Sequence, residues 1–193
     1  MAWPDRSALM DFVAQLFSVL TNSSCFVWNV RGLNERARRN VVKEFVLLLK
    51  PTIVCIQETK LSSICNNVAV QIVGASFDYD FVPADGAAGG IMLAWARDCW
   101  SVDSLHRGRF SLTARFSSRA PLGQPWWISV VYGPQLDSDK IEFLDELRQF
   151  RAASLGPWFL CGDFNMIYRA QDKNNDRLDR LSMRRFRAFL DQL

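Results

Sequence analysis

The chain has 193 residues, of which 49% are hydrophobic and 22% are charged, with a formal net charge of +3 at pH 7. These values indicate one soluble, globular domain with a sizeable core, and a charge that permits a polyanionic partner without requiring one. No run approaches the roughly 20 apolar residues of a membrane span, and Asp5 and Asp11 exclude a signal peptide. We therefore expect an intracellular protein without a membrane partner, with the nucleus as one option.

The first 24 residues differ from the rest of the chain. They carry apolar residues at helical spacing (Leu9, Phe12, Val13, Leu16 and Leu20), followed by a polar turn. We predict a short helix in an N-terminal extension, 1–24, outside a main domain that covers 25–193.

A βαβ unit opens the main domain. A strand over 25–30, a helix over 34–50 and a strand over 52–57 predict a parallel strand pair. The helix is expected to bury one stripe (Val41, Val42, Phe45, Leu48 and Leu49).

The middle of the chain predicts a short helix over 62–73 and then an antiparallel meander, with strands over 77–82, 90–95, 102–105, 109–116 and 126–132. A helix over 138–153 should be capped by Asp137 and turn its apolar residues inward (Ile141, Leu144, Leu147 and Phe150). A strand over 158–161 and a helix from Ser182 complete the prediction. Together these elements define an α/β fold.

The five cysteines indicate a core role rather than a disulfide framework. Cys25, Cys55 and Cys161 lie inside apolar, strand-like runs, where a free thiol behaves as a small hydrophobic residue. No CxxC motif or Cys/His cluster in the sequence suggests zinc.

Polar residues follow several of these strands directly. Asn29, Glu58, Asp163 and Asn165 each come after an apolar run, and strand ends are where open α/β sheets build ligand sites. Oxygen ligands of this kind suit Mg²⁺, which is typically held by one or two carboxylates together with substrate phosphate. Tyr132 ends a strand and could place its phenol on the same phosphate, so the set is compatible with hydrolysis of phosphodiesters.

Each of these residues also has a structural interpretation. Glu58 could cap a helix or pair with a nearby Lys, the segment around Asp163 could be a turn, and Tyr132 could be a half-buried strand aromatic. His106 lies between two predicted strands, where a solvated turn is the simpler interpretation, and it is not assigned to the site.

Five short motifs, taken in this order, resemble the endonuclease/exonuclease/phosphatase superfamily: WNVRGL at 28–33, QETK at 57–60, GGIML at 89–93, VYGP at 131–134 and GDFN at 162–165. Within it, they most resemble the apurinic-endonuclease-like domain of non-LTR, LINE-type retrotransposons. The resemblance covers roughly 25–193. It implies a four-layer αββα sandwich of the DNase-I type, dependence on Mg²⁺ with Mn²⁺ as an alternative, and DNA as substrate.

The resemblance also implies a role for each candidate residue. Glu58 would be the main metal ligand, and Asn29 would support the metal or the phosphate. Tyr132 would contact the scissile phosphate, Asp163 would orient or activate the attacking water, and Asn165 would stabilise the phosphate.

Two departures from the family pattern bear on activity. Arg31 stands where many apurinic endonucleases carry an acidic residue, and the closing Ser-Asp-His motif is absent, since the chain ends 28 residues after Asn165. We therefore expect a C-terminally truncated domain with weak or no cleavage. We also expect open edges at the strands 126–132 and 158–161.

Four functional hypotheses follow. The leading one is a metal-dependent endonuclease domain from a retrotransposon-like element. Two alternatives are a non-catalytic nucleic-acid-binding remnant and a fragment without a selected function. The fourth is a phosphatase, against which the VYGP motif argues.

Overall fold

Two β-sheets lie face to face, with helices on their outer faces. The computed structural model describes residues 17–18, 24–86, 88–120, 123–169, 171 and 179–193. In this part of the chain the strands are β1 (Phe17–Ser18), β2 (Ser24–Asn29), β3 (Ile53–Gln57), β4 (Phe77–Asp85), β5 (Ala88–Ala96), β6 (Trp100–Arg107), β7 (Ser111–Ser118), β8 (Trp126–Tyr132) and β9 (Trp158–Asp163). The helices are α1 (Arg36–Leu49), α2 (Asn66–Ile72), α3 (Lys140–Ala153) and α4 (Arg180–Leu190).

The first sheet has the strand order β1-β2-β3-β5-β4 and the second has β6-β7-β8-β9. Each sheet contains one parallel pair, β2 with β3 and β8 with β9, and its other pairs are antiparallel. The predicted βαβ unit is therefore confirmed. The strands of the predicted antiparallel meander do pair antiparallel with their neighbours, but they are divided between the sheets, because the chain leaves the first sheet after β5 and begins the second with β6.

Three apolar layers hold the sandwich together. One lies between the sheets and contains Leu93, Phe116 and Ile128. A second packs α1 and α2 on the first sheet, and a third packs α3 and α4 on the second sheet. These layers produce the predicted four-layer αββα sandwich.

The helix faces differ from the predicted ones at two positions. Leu48 is 73% exposed and Ile141 is 46% exposed, whereas the buried residues are Val42 and Val46 in α1, and Phe143, Leu144 and Leu147 in α3. In both helices the buried stripe begins one or two residues away from the predicted one, because the direction of packing against the sheet selects the face. Asp139, not Asp137, occupies the N-cap of α3.

The edges of the second sheet also differ from the expectation. β8 is paired on both sides, by β7 and β9, so the predicted open edge at 126–132 is wrong. Among the described strands, β9 is an edge of that sheet. Its outer face is covered by α3 and α4, whose apolar residues pack on Trp158 and Leu160.

The helix predicted within residues 1–24 falls outside the described residues, except at Phe17–Ser18, where the structure has strand β1. β1 pairs with β2, with Phe17 opposite Cys25. The domain boundary at residue 25 stays a prediction. No helix in the described part of the chain is long and apolar enough to cross a membrane.

Cys25, Cys55 and Cys161 are buried free thiols in the layer between the sheets, as predicted. Burial raises the pKa of the Cys55 thiol well above its usual range. Hydrogen bonds from Cys161 and Cys55 lower the pKa of Cys25 to about 5.

The topology brings the carboxyl ends of the two parallel pairs together. In the first sheet Asn29 lies opposite Gln57, directly before Glu58. In the second sheet Tyr132 lies opposite Asp163. Because β2 and β3 both pack against β9 across the sandwich, these strand ends form one edge where a site can be built.

Candidate active site

Asp163 lies at the centre of a hydrogen-bonded group that joins the two sheets. The Asn29 side-chain amide donates to Asp163 Oδ2 at 2.8 Å, and the backbone N–H of Asn165 donates to Asp163 Oδ1 at 3.0 Å. Both carboxylate oxygens therefore accept a hydrogen bond, which fixes the orientation of the group. The side-chain carbonyl oxygen of Asn29, Oδ1, accepts a hydrogen bond from the backbone N–H of Arg31 at 3.2 Å, so both ends of the side-chain amide are held.

Asn165 is positioned by the turn that follows β8. Its side-chain amide donates to the carbonyl oxygen of Gly133 at 2.6 Å, and the Gly133 N–H donates to the carbonyl oxygen of Asp163 at 2.7 Å. A Cβ at position 133 would lie 2.1 Å from the carbonyl oxygen of Phe164. Only glycine allows the two segments to approach this closely, which explains the glycine of the VYGP motif.

Glu58 follows the buried strand β3 and points toward the same edge. Its side chain is 16% exposed, and its Oε1 lies 3.1 Å from Nζ of Lys60, whose side chain is 33% exposed. This ion pair matches the structural interpretation of Glu58 given above. It also leaves the carboxylate in a polar, partly open position where a cation can reach it.

Tyr132 lies between Glu58 and Asp163 electrostatically. Its phenol is near enough to both carboxylates and to Gln135 for all three to affect its pKa. Burial raises the pKa of Tyr132, and the negative charges of Glu58 and Asp163 raise it further. The phenol is therefore protonated at neutral pH and available as a hydrogen-bond donor.

This arrangement predicts a measurable shift in the titration of Tyr132. In an alkaline absorbance titration, the phenol that disappears in Tyr132→Phe should ionise above the usual pH of about 10. Glu58→Gln should lower that midpoint, because it removes one of the negative charges that disfavour the phenolate. An unchanged midpoint in Glu58→Gln would show that the two side chains do not interact. The folded state holds the Tyr132 proton more tightly than the unfolded state, so its contribution to stability is complete below about pH 10 and is lost as the pH rises through the folded-state pKa.

Unusual backbone conformations cluster at this edge. Among the described non-glycine residues, positive φ occurs at Arg31, Lys50, Glu58, Lys60 and Asn165. Lys50 is the C-cap of α1, where a left-handed residue is ordinary. The other four surround the candidate site, and such conformations cost of order 1–3 kcal/mol each and are typical of functional sites.

A pocket of about 480 Å³ opens beside these residues. The residues that line it include Glu58, Lys60, Tyr132, Arg109 and Gln135. Asn29, Asp163 and Asn165 are not among its lining residues; they form the adjacent hydrogen-bonded group. The structure thus brings all five predicted site residues to one edge, with Tyr132 as the link between the two groups.

Three further polar residues at the site were not predicted. Lys60 is part of the QETK motif, but the sequence suggests only that a lysine could pair with Glu58. Gln135 follows the VYGP motif, and its contact with Tyr132 gives no signal in the sequence. Arg109 lies two residues before β7 and forms ion pairs with Asp139 and Glu142 of the α3 segment, a long-range contact that local patterns do not reveal.

Comparison with known proteins agrees with this architecture. The model of the Endonuclease/Exonuclease/phosphatase family matches residues 26–191. The chain belongs to this family. No curated protein matches the sequence.

Solved structures of the same fold share little sequence with the chain. An AP endonuclease from Archaeoglobus fulgidus is 19% identical, with a TM-score of 0.65, over 85% of this chain and 68% of that one. The human Nocturnin catalytic domain with bound sulfate is 15% identical, with a TM-score of 0.58, over 73% and 64%. TDP2 from D. rerio, complexed with a single-strand DNA product, is 18% identical, with a TM-score of 0.55, over 75% and 61%. The chain thus spans less than two thirds of the Nocturnin domain.

Proposed function

We propose that the chain carries a divalent-metal-dependent phosphodiesterase site that acts on DNA as an endonuclease. The observation that carries the proposal is the convergence of Glu58, Tyr132 and Asp163 at one sandwich edge, beside an open pocket. An acidic ligand, a phenol donor and an oriented carboxylate can each assist the hydrolysis of a phosphodiester, by holding a cation, stabilising developing charge and accepting a proton.

The donor set fits a hard cation such as Mg²⁺ or Mn²⁺. Glu58 would hold it, with support from the carbonyl oxygen of Asn29, and water and substrate phosphate would complete the ligands. Bound there, a divalent cation would stabilise the negative charge that develops on the phosphate during hydrolysis. In the structure the carboxylate of Glu58 forms an ion pair with Lys60. A cation held by Glu58 would therefore compete with the Lys60 ammonium for this carboxylate.

The residues of the chain would divide the remaining tasks. Asp163, with its carboxylate fixed by Asn29 and Asn165, would orient the attacking water and accept its proton at a carboxylate oxygen. Tyr132 would donate its phenol proton in a hydrogen bond to a phosphate oxygen. The second N–H of the Asn165 amide, whose first N–H binds Gly133, would do the same.

The choice of DNA as substrate rests on three observations. The motifs of the chain resemble those of LINE-type retrotransposon endonucleases, an origin that we also propose here. Two of the solved relatives are an AP endonuclease and a TDP2 with a DNA product. Arg31, Arg38 and Lys60 place cationic groups next to the site, with Arg38 donating to the carbonyl oxygen of Arg31, and they would attract a phosphate backbone. Such a protein would act inside the cell, in the nucleus where its substrate lies.

Nicking of supercoiled plasmid by the purified chain tests the proposal. We expect weak nicking in Mg²⁺, none in EDTA, and a further loss of about 10²- to 10³-fold in Asp163→Asn, which removes the proton acceptor. Asp103→Asn is the matched control, because Asp103 is half exposed and only weakly paired with Arg115, 3.9 Å away.

Equal nicking by the wild type and Asp163→Asn would contradict the proposed role. DNA binding that weakens with salt, without nicking in Mg²⁺, would contradict the enzymatic proposal and support a non-catalytic nucleic-acid-binding protein.

A further inference from the structure

Three cysteine thiols meet in the layer between the two sheets. Cys25 lies on β2, Cys55 on β3 and Cys161 on β9, and all three are buried. Their sulfur atoms lie within 4.8 Å of one another, and the sulfurs of Cys25 and Cys55 are 3.6 Å apart. Cys25 precedes Asn29 by four residues of extended strand, or about 13 Å, so the thiol cluster is separate from the candidate active site.

We propose that these three thiols bind a single soft monovalent metal ion, Cu(I), in an all-sulfur site that joins the two sheets. Nothing in the family resemblance or in the proposed nuclease activity requires such a site. The inference rests on the positions of the three sulfur atoms and on the chemistry of the surrounding core.

The spacing of the sulfur atoms suits one shared ion. Metal–thiolate bonds are about 2.3 Å long, so three sulfurs in a plane around one ion lie about 4 Å apart. The observed separations, 3.6 Å for one pair and no more than 4.8 Å for the others, bracket that value. Small side-chain rotations would therefore suffice for ligation, without a shift of the strands.

The absence of a fourth ligand favours Cu(I) over Zn²⁺. Within the part of the chain that the structure describes, no histidine, aspartate or glutamate belongs to the cluster. The neighbouring core residues, among them Leu93, Ile128 and Val130, are fully buried and apolar, so water is not available as a ligand. Structural zinc almost always has four ligands, whereas thiolates with low coordination suit Cu(I).

The electrostatics of the core also limit the charge of the ion. A buried thiolate is costly unless a positive charge compensates it, and three thiolates around one Cu(I) would leave a net charge of −2 in the apolar core. A neutral site forms when only one of the three thiols releases its proton and the other two contact the ion through their sulfur lone pairs, whereas a divalent ion would require a second buried thiolate. Because the cluster is sealed from solvent, the ion must enter while the sheets assemble, and binding then stabilises the folded state by linkage.

Refolding in the presence of Cu(I) tests the proposal directly. The full chain is unfolded in urea and refolded without oxygen, with Cu(I) supplied from a competing chelator. The copper retained per protein is then measured, together with the luminescence of Cu(I)–thiolate bonds. We expect one copper ion per chain and a higher Tm than after refolding without copper. A parallel refolding with Zn²⁺ should retain no stoichiometric metal.

Cysteine variants locate the bound ion. Cys55→Val and Cys161→Val keep the core filled and should reduce the retained copper at least about tenfold, the loss expected when a ligand is removed. The double variant Cys65→Ser/Cys99→Ser is the matched control, since these cysteines lie outside the cluster, and it should retain one copper per chain. Unchanged copper in the valine variants, or copper lost in the control, would overturn the proposal.

X-ray absorption of the copper-loaded wild type gives an answer even if the valine variants do not fold. Three sulfur neighbours at about 2.3 Å would support the site. Oxygen or nitrogen neighbours, or no retained copper, would overturn it, as would stoichiometric zinc in place of copper. Failure of the plasmid-nicking test would leave this outcome unaffected, because the thiol cluster does not depend on the proposed nuclease function.

Discussion

Glu58→Gln is expected to lower the affinity for Mn²⁺ at least about tenfold and to reduce plasmid nicking by about 10³-fold. The substitution keeps the shape of the side chain, but it removes the charge that would bind the cation. Manganese binding is measured by electron paramagnetic resonance and nicking on supercoiled plasmid, so the result does not rest on activity alone.

Glu44→Gln is the matched control for this variant, because Glu44 lies on the exposed face of α1, away from the site. It should bind Mn²⁺ and nick DNA as the wild type does. The ion pair between Glu58 and Lys60 offers the competing explanation, in which Glu58 has a structural role only. Under that explanation, Glu58→Gln would reduce stability and leave the affinity for Mn²⁺ unchanged.

Gly162→Ala should have the largest effect on stability, a loss of about 3–5 kcal/mol in the free energy of unfolding. Gly162 has a φ of +124°, and a Cβ at this position would lie 2.2 Å from the carbonyl oxygen of Val131 on β8. Alanine would therefore push β9 away from β8 and disturb the pairing of Tyr132 with Asp163. Urea unfolding followed by tryptophan fluorescence measures the loss.

Gly123→Ala is the control for the glycine effect. A Cβ at position 123 would lie 3.4 Å from Cβ of Ser118, an ordinary contact, so the change should stay within about 0.5 kcal/mol. If Gly162→Ala were as stable as this control, the close approach of β8 and β9 at Gly162 would not contribute to the free energy of unfolding as we expect.

The convergence of the candidate residues could be predicted more readily than the packing. Asn29, Glu58, Tyr132 and Asp163 were expected at one edge because polar residues after apolar strands mark strand ends, and strand ends converge in α/β sandwiches. The division of the strands between two sheets could not be found in this way. A short connection such as Arg97–Cys99 can lead to the next strand of the same sheet or to a strand of the other sheet. Which of the two occurs depends on how the apolar faces of both sheets are buried.

The buried faces of the helices were also predicted only in part. Local periodicity placed Leu48 and Ile141 in the core, but both are exposed, because the direction in which each helix crosses its sheet sets the buried stripe. Arg109 and Gln135 were missed for a related reason. Their contacts with the α3 segment and with Tyr132 depend on how distant segments pack, which a local pattern does not contain.

The positive φ values add information that the sequence did not offer. Glu58, Lys60 and Asn165 adopt a conformation that favours glycine, yet the chain keeps polar side chains there. Backbone strain is thus accepted at the positions where the proposed site needs a carboxylate, an ammonium and an amide. This is the pattern expected when a site, rather than the fold, determines the residue type.

An anomalous-scattering map from crystals of the chain soaked in Mn²⁺ tests the proposed metal site most directly. We expect a peak beside the carboxylate of Glu58, within ligand distance of the side-chain carbonyl oxygen of Asn29, with the Lys60 ammonium displaced. A peak elsewhere, or no peak beside a Glu58 that stays paired with Lys60, would contradict the proposed metal site and with it the proposed phosphodiesterase.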